Sequence, residues 1–201
     1  MNYTLEFLNK AVQSVNQLRE EEIESLVSEL LSLRNRNGRL FLIGSGGGAG
    51  HASHAAADFR RLAGIESYAV GDNISELTAL INDESWEESY AISLHQSKFS
   101  QNDALFVISV GGGNLENQVS MNLVKSIDFC HKIGGQVLGV ASNSGGYLAQ
   151  KTKNWVRISI ADNALVTPIS ESLQALVWHL IVCHPKLKIR PTYWESLGGV
   201  G

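Results

Sequence analysis

His51, His54 and Asp58 lie three and four residues apart in RLFLIGSGGGAGHASHAAADF, residues 39–59, so a helix carries all three on one side. An imidazole and a carboxylate at that spacing either share a divalent metal or divide the base and acid roles of a proton transfer. His51 falls in the first turn, where it reads as a cap or a solvent-facing residue. Ahead of the three, Gly44, Gly46, Gly47 and Gly48 allow a tight turn. Its backbone N–H groups, together with those of the helix start, would cradle an anion such as phosphate. A second set of polar residues, Glu171, Gln174 and His179, stands in an otherwise apolar stretch that includes Leu173, Leu176, Val177, Trp178, Leu180, Ile181 and Val182. Buried polar groups need partners; His179 reads as a hydrogen-bonded core histidine or as a site residue, and Trp178 reads as core.

A nucleotide fits this turn poorly. GSGGGAG has its third glycine displaced from the dinucleotide fingerprint, and Asp72 lies beyond Gly71 instead of at a strand end. No Lys-Ser/Thr pair follows the glycines, which removes a Walker loop, and no nucleotide cofactor is expected.

The elements that must position these residues follow from periodicity. Leu40 to Ile43 is a short apolar run of the kind buried on both faces, followed by the histidine helix. Ser67 to Val70 reads as a second strand, 74–81 and 84–99 as helices, and ALFVISV after Asp103 as a third strand. That strand enters a second glycine cluster, Gly111 to Gly113, with a helix expected over 115–133. Gln136 to Ala141 and Trp155 to Ile160 are the fourth and fifth strands, with a short helix after Ser144-Gly145-Gly146. Thr167 as N-cap and Pro168 as first helical residue open the last helix, which runs to about His184. Ahead of all this, apolar residues from Leu5 to Leu30 recur at three- and four-residue steps, predicting a long helix, broken at most once. A helix before the first strand is no crossover, so its stripe must be covered by the sheet or by another subunit, and a subunit contact is the favoured reading. The pattern is α/β: one domain over 1–201, with 1–36 as an N-terminal helical segment.

Composition narrows the classes. At 201 residues, 44% hydrophobic and 18% charged, the chain has enough apolar residues for one core. Twenty acidic residues against 16 Lys and Arg argue against a nucleic-acid surface. Cys130 and Cys183 form no metal or disulfide framework, no signal pattern opens the chain, and no stretch looks long and apolar enough to span a bilayer. A cytoplasmic protein is expected.

With these motifs laid out, the chain resembles the sugar isomerase (SIS) domain, and within it the phosphoheptose (sedoheptulose 7-phosphate) isomerases. The likeness rests on the N-terminal helix, GSGGGAGHASHAAADF, ELTALINDE, ALFVISV with its glycine loop, and TPISESLQALVWH. It implies an open, parallel, doubly wound five-stranded sheet flanked by helices, and a homo-oligomer, as a tetramer. Also implied is aldose–ketose isomerisation of a sugar phosphate through an enediol, with Asp58 as base and His179 as acid. A competing assignment is zinc held by His54, Asp58, Glu171 and His179, with Asp58 as ligand and a bound water as base. Substrate contacts fall at Ser45, Gly46, Gly47, Asn82, Asp83, Ser109, Val110, Gly111, Asn114 and Glu171. Three departures stand out. The family's Ser-Thr-Ser-Gly-Asn-Ser loop is here Ser109-Val110-Gly111-Gly112-Gly113-Asn114, Asp58 replaces the usual Glu, and Glu171 replaces the usual Gln. The hydroxyl-poor loop keeps a second class in view, a non-catalytic SIS protein that binds phosphosugars or a protein partner as a regulator. A Schiff-base aldolase is set aside because no lysine falls in these motifs.

Overall fold

A computed structural model describes residues 2–193. The order is α1 (Tyr3–Val15), α2 (Glu20–Asn35), β1 (Leu40–Gly44), α3 (Gly47–Ala63), β2 (Ser67–Ala69), α4 (Ile74–Asp83), α5 (Ser89–Gln96), β3 (Ala104–Ile108), α6 (Met121–Ile133), β4 (Gln136–Ser142), α7 (Gly146–Lys151), β5 (Trp155–Ile158) and α8 (Val166–Val182). The five strands are all parallel in the order β2-β1-β3-β4-β5. Strand order reverses between β1 and β3, and in open α/β sheets the crevice outside the strand ends at such a point receives the ligand. Both glycine clusters lie there, after β1 and after β3.

Alternation along each strand feeds two separate cores. Leu40, Leu42, Phe106, Leu138 and Val156 face α2, α3 and α8, whereas Phe41, Ile43, Leu105, Val107 and Val137 face α5, α6 and α7. At the opposite end of the sheet Asp103 is buried and holds the Arg39 guanidinium at 2.8 Å. Burial alone would raise its pKa; bonds from Arg39 and Ser100 outweigh that and hold the carboxyl below its usual range.

Several expectations are adjusted by tertiary packing. The N-terminal helix breaks at 16–19 into α1 and α2, and the stripe of α2 is not a subunit contact. Leu26, Val27, Leu30 and Leu33 are fully buried in the chain's own core, each contributing about 1.5–3 kcal/mol. Only α1 keeps an outward stripe, with Leu5, Leu8 and Val12 each more than half exposed. Residues 84–88 are not in α5, and α6 starts at Met121 because Asn114 and Val119 pair across a small loop. α8 begins ahead of Thr167. Asp162 instead caps the preceding 3₁₀ turn by accepting the Ala164 N–H, and Thr167 caps nothing. The run Asn163–Val182 is, by length and composition, apolar enough to cross a membrane, contrary to expectation. It is a core helix: Ile169, Val177, Trp178, Ile181 and Val182 pack against the sheet. Of the aromatic pair in the tail, Tyr193 lies under the Arg61 guanidinium at 5.7 Å, and Trp194 lies outside the described residues.

Candidate active site

Tight backbone contact fixes where α3 starts. A Cβ on Gly44 would lie 2.3 Å from the Gly48 carbonyl carbon, and one on Gly48 would lie 2.4 Å from the Ile108 oxygen. Glycine at both positions lets the β1–α3 turn press against β3. α3 and α8 then run side by side in the same direction. Glu171 meets Gly47 at the first turn, and His179 meets His54 about two turns further on, where the imidazole centroids are 5.4 Å apart.

Asp58 sits between the two imidazoles. Its Oδ2 is 3.8 Å from His54 Nε2 and 4.0 Å from His179 Nε2. One ligand atom from each of the three residues lies within 4.8 Å of the others. His179 Nδ1 is 2.8 Å from the Ala175 carbonyl oxygen, which can only accept, so Nδ1 carries a proton and Nε2 is the ring atom turned toward Asp58. The His54 ring meets the Trp178 indole edge-on at 4.7 Å and its side chain is otherwise mostly exposed. Two imidazoles and a carboxylate are a donor set for a divalent ion. Tetrahedral zinc needs ligand atoms about 3.3 Å apart, a closure that small side-chain rotations supply. The residues fit a metal.

Glu171 stands outside this group. Its carboxylate lies against Gly47, with Cδ 2.5 Å and the oxygens 2.6 and 2.7 Å from where a Cβ would be. The helix end expected to hold a phosphate therefore faces one of the chain's own carboxylates. Four buried positions on α8 continue the line: Ser170, Gln174, Val177 and Trp178. Gln174 Oε1 and Trp178 Nε1 have no partner among the described residues, although the Gln174 amide reaches Ser170 Oγ at 3.4 Å.

A cavity of about 550 Å³ opens at the ends of β1 and β3, and none of His54, Asp58, Glu171 and His179 lines it. Of the residues expected to touch substrate, Ser45, Ser109, Val110, Gly111 and Asn114 line it. Its walls are mainly backbone. A Cβ on Gly112 would come 2.0 Å from the Gly145 oxygen, and one on Gly146 would come 2.2 Å from the Gly111 oxygen, so the loops after β3 and β4 stack main chain on main chain. Ser109 Oγ accepts the Gly112 N–H at 3.0 Å and braces the turn. Among the described residues no Lys or Arg lines the cavity; an anion there would be met by amide N–H groups and hydroxyls. A second cavity of about 380 Å³, between β2 and α4, contains none of these residues, and Arg39 at its rim is committed to Asp103.

A family model described as "SIS domain" matches residues 5–142. The chain belongs to the SIS domain family. Phosphoheptose isomerase of Helicobacter pylori strain P12 is 24% identical over 184 residues, covering 89% of this chain and 85% of that protein. Phosphoheptose isomerase of Crocosphaera subtropica is 27% identical over 188 residues, covering 90% of each. The structure of phosphoheptose isomerase GmhA from Neisseria gonorrhoeae superposes with a TM-score of 0.75 at 20% identity, over 90% of this chain and 92% of that one.

The SIS match ends at Ser142, ahead of α8, so Glu171 and His179 are supplied by a helix beyond it. Asn82 and Asp83 are exposed at the end of α4, bonded to each other at 2.7 Å, and belong neither to the cavity lining nor to the His–Asp group. Gly46 takes φ +57° to turn the chain into α3, and His51 is half-buried apart from the metal-capable group. Sequence reading missed Ser120 and Ser144 on the cavity wall, and Asn122, whose amide N–H donates to Ser45 Oγ at 3.2 Å. Ser120 directly precedes the apolar run of α6, which is a helix-start signal; the helix had been expected to begin earlier, at 115.

Proposed function

We propose that this chain is a sugar-phosphate aldose–ketose isomerase acting on sedoheptulose 7-phosphate to give D-glycero-D-manno-heptose 7-phosphate through an enediol. The observation that carries the reading is the convergence of His54, Asp58 and His179 where α3 packs on α8. These three residues would hold zinc. Three protein ligands leave a fourth position open, as catalytic zinc sites do, and a divalent ion there polarises a substrate carbonyl when bound. The donor geometry favours Asp58 and His179 as ligands over their use as a free base and acid. His179 is oriented by Ala175 O, and His54 by the Trp178 edge. The phosphate end of the substrate lies in the glycine-walled cavity, held by amide N–H groups and by Ser45, Ser109 and Ser120. The exposed Leu5, Leu8 and Val12 stripe supports a homotetramer, and two free thiols, with buried Cys130 pushed up to about 12, suit a reduced cytoplasm.

Incubating the zinc-loaded protein with ketose phosphates of five to eight carbons and following aldose formation tests this. Turnover of the heptulose phosphate above the others is expected. Saturable binding of a ketose phosphate without turnover would hand the chain to the regulator class.

A further inference from the structure

We infer that Trp178 is a positioning residue for the metal donors: its indole holds the imidazoles of both His54 and His179 in place for ligation and so sets how tightly zinc is bound. The inference rests on the zinc reading above and extends it to a side chain that gives the ion no atom of its own.

Three rings meet where α3 packs on α8. Trp178 is fully buried, the bulkiest of the side chains that have no exposed surface, and it packs into the core with Val177 and Ile181. The His179 ring stacks on it, with centroids 3.5 Å apart and 26° between the planes. The His54 ring meets it edge-on at 4.7 Å and 68°. The two imidazoles stand nearly perpendicular to each other, at 86°. One buried plane, anchored in the core, therefore touches both of the rings that carry nitrogen donors.

The two histidines depend on it unequally. His179 has a second hold, the 2.8 Å bond between Nδ1 and the Ala175 oxygen. A ligating imidazole usually gives its other ring nitrogen such a partner, and that bond fixes the rotation of the ring. His54 has no counterpart. Among the described residues it makes no hydrogen bond, Asp58 Oδ2 is 3.8 Å away, and 60% of its side chain is exposed. An imidazole that open loses rotamer freedom when it takes a metal, and the loss weakens binding. Contact with the indole removes that freedom in advance, in the edge-to-face geometry that aromatic pairs prefer. The indole nitrogen contributes nothing to this hold: Nε1 has no acceptor among the described residues, and a buried donor without one is destabilising. A phenylalanine would fill core without that defect, but a single ring reaches less far across two imidazoles than two fused ones.

Zinc affinity of the full chain, measured by competition with a chromophoric chelator, tests the assignment. Trp178→Leu keeps an apolar side chain in the core and removes the ring; in protein whose circular dichroism shows the native fold, zinc should bind about 10- to 100-fold more weakly. Trp178→Phe keeps one ring and should bind zinc about 2- to 12-fold more weakly, the worth of one aromatic pair; it decides the matter if the leucine variant does not fold. A double-mutant cycle supplies the readout that core packing alone would not move. In a His54→Ala background, Trp178→Leu or Trp178→Phe should cost much less zinc affinity than it does alone, because the ring that depends most on the indole is gone. Wild-type zinc affinity in the folded Trp178 variant overturns the inference and leaves the zinc reading standing, and losses that simply add in the cycle reduce Trp178 to core packing. A wild type that takes up no zinc brings down the zinc reading and this inference together.

Discussion

The seam between α3 and α8 and the loops beyond β3 and β4 are made of different material. In the seam the chemistry is in side chains: two imidazoles and a carboxylate within 4.8 Å, and a second carboxylate about two turns away. In the loops it is in the main chain, with Gly112 against Gly145 and Gly146 against Gly111 so close that no Cβ fits between. A divalent ion needs a few donors of a given type at set distances, which rotamers on rigid helices supply. A phosphate accepts many N–H bonds at once and is served by a concave run of amides, whatever the residue types. The contrast predicts that substitutions in the seam cost chemistry, whereas those in the loops cost stability and affinity.

The largest expected effect is in the seam. Asp58→Asn and His179→Gln each remove a charge or a ligand nitrogen from the proposed zinc set, and turnover should fall about 10²- to 10⁴-fold with metal lost in proportion. Added zinc should restore part of the rate. Zinc content by elemental analysis beside rate measurements decides it. If both variants keep full metal but lose turnover, the two residues act directly on protons.

Next comes the loop wall. Gly112→Ala introduces a Cβ 2.0 Å from the Gly145 oxygen at a residue with φ +74°, so the two loops must separate. Strain of this kind costs on the order of 3 kcal/mol, about 6–12 °C of melting temperature in a chain this size. Zinc binding by the folded fraction should be unchanged, because no donor is on these loops. Loss of metal affinity here would mean the two regions are not separable.

How much of this was legible in the sequence divides along the same line. The strands and the pairing of His54 with Asp58 follow from apolar runs, glycine turns and four-residue spacing, all of which are local, whereas the strand order does not. The meeting of His54 with His179 is not local: the two are far apart in sequence, and only the likeness at both helices pointed to it. Glu171 shows the limit. Its type and helix were read correctly, yet whether its carboxylate joins the histidines or lies by Gly47 depends on how α3 packs on α8. The stripe of α2 was misassigned for a related reason, since an apolar face looks the same in sequence whether the chain's own sheet or another subunit covers it. In the cavity, Ser120 was hidden by the small loop closed by the Asn114–Val119 pair, which shifts the helix start and realigns every hydroxyl after it.

That loop makes the smallest effect the most discriminating one. Ser120 lines the cavity at the start of α6, where the helix's unpaired amides also point, so a bound phosphate would receive one hydroxyl bond among several backbone bonds. One hydroxyl hydrogen bond to a charged phosphate contributes about 1.5–3 kcal/mol, so Ser120→Ala should raise KM for the sugar phosphate by roughly 12- to 160-fold and leave kcat and zinc content at wild-type values. Steady-state kinetics over substrate concentration separate the two constants. A rise of several hundredfold would show that the serines carry the phosphate after all, with the glycines merely making room, and the contrast between a side-chain seam and a main-chain cavity would dissolve. A fall in kcat with KM unchanged would put Ser120 beside the reacting carbons and reverse the direction in which the substrate lies along the crevice.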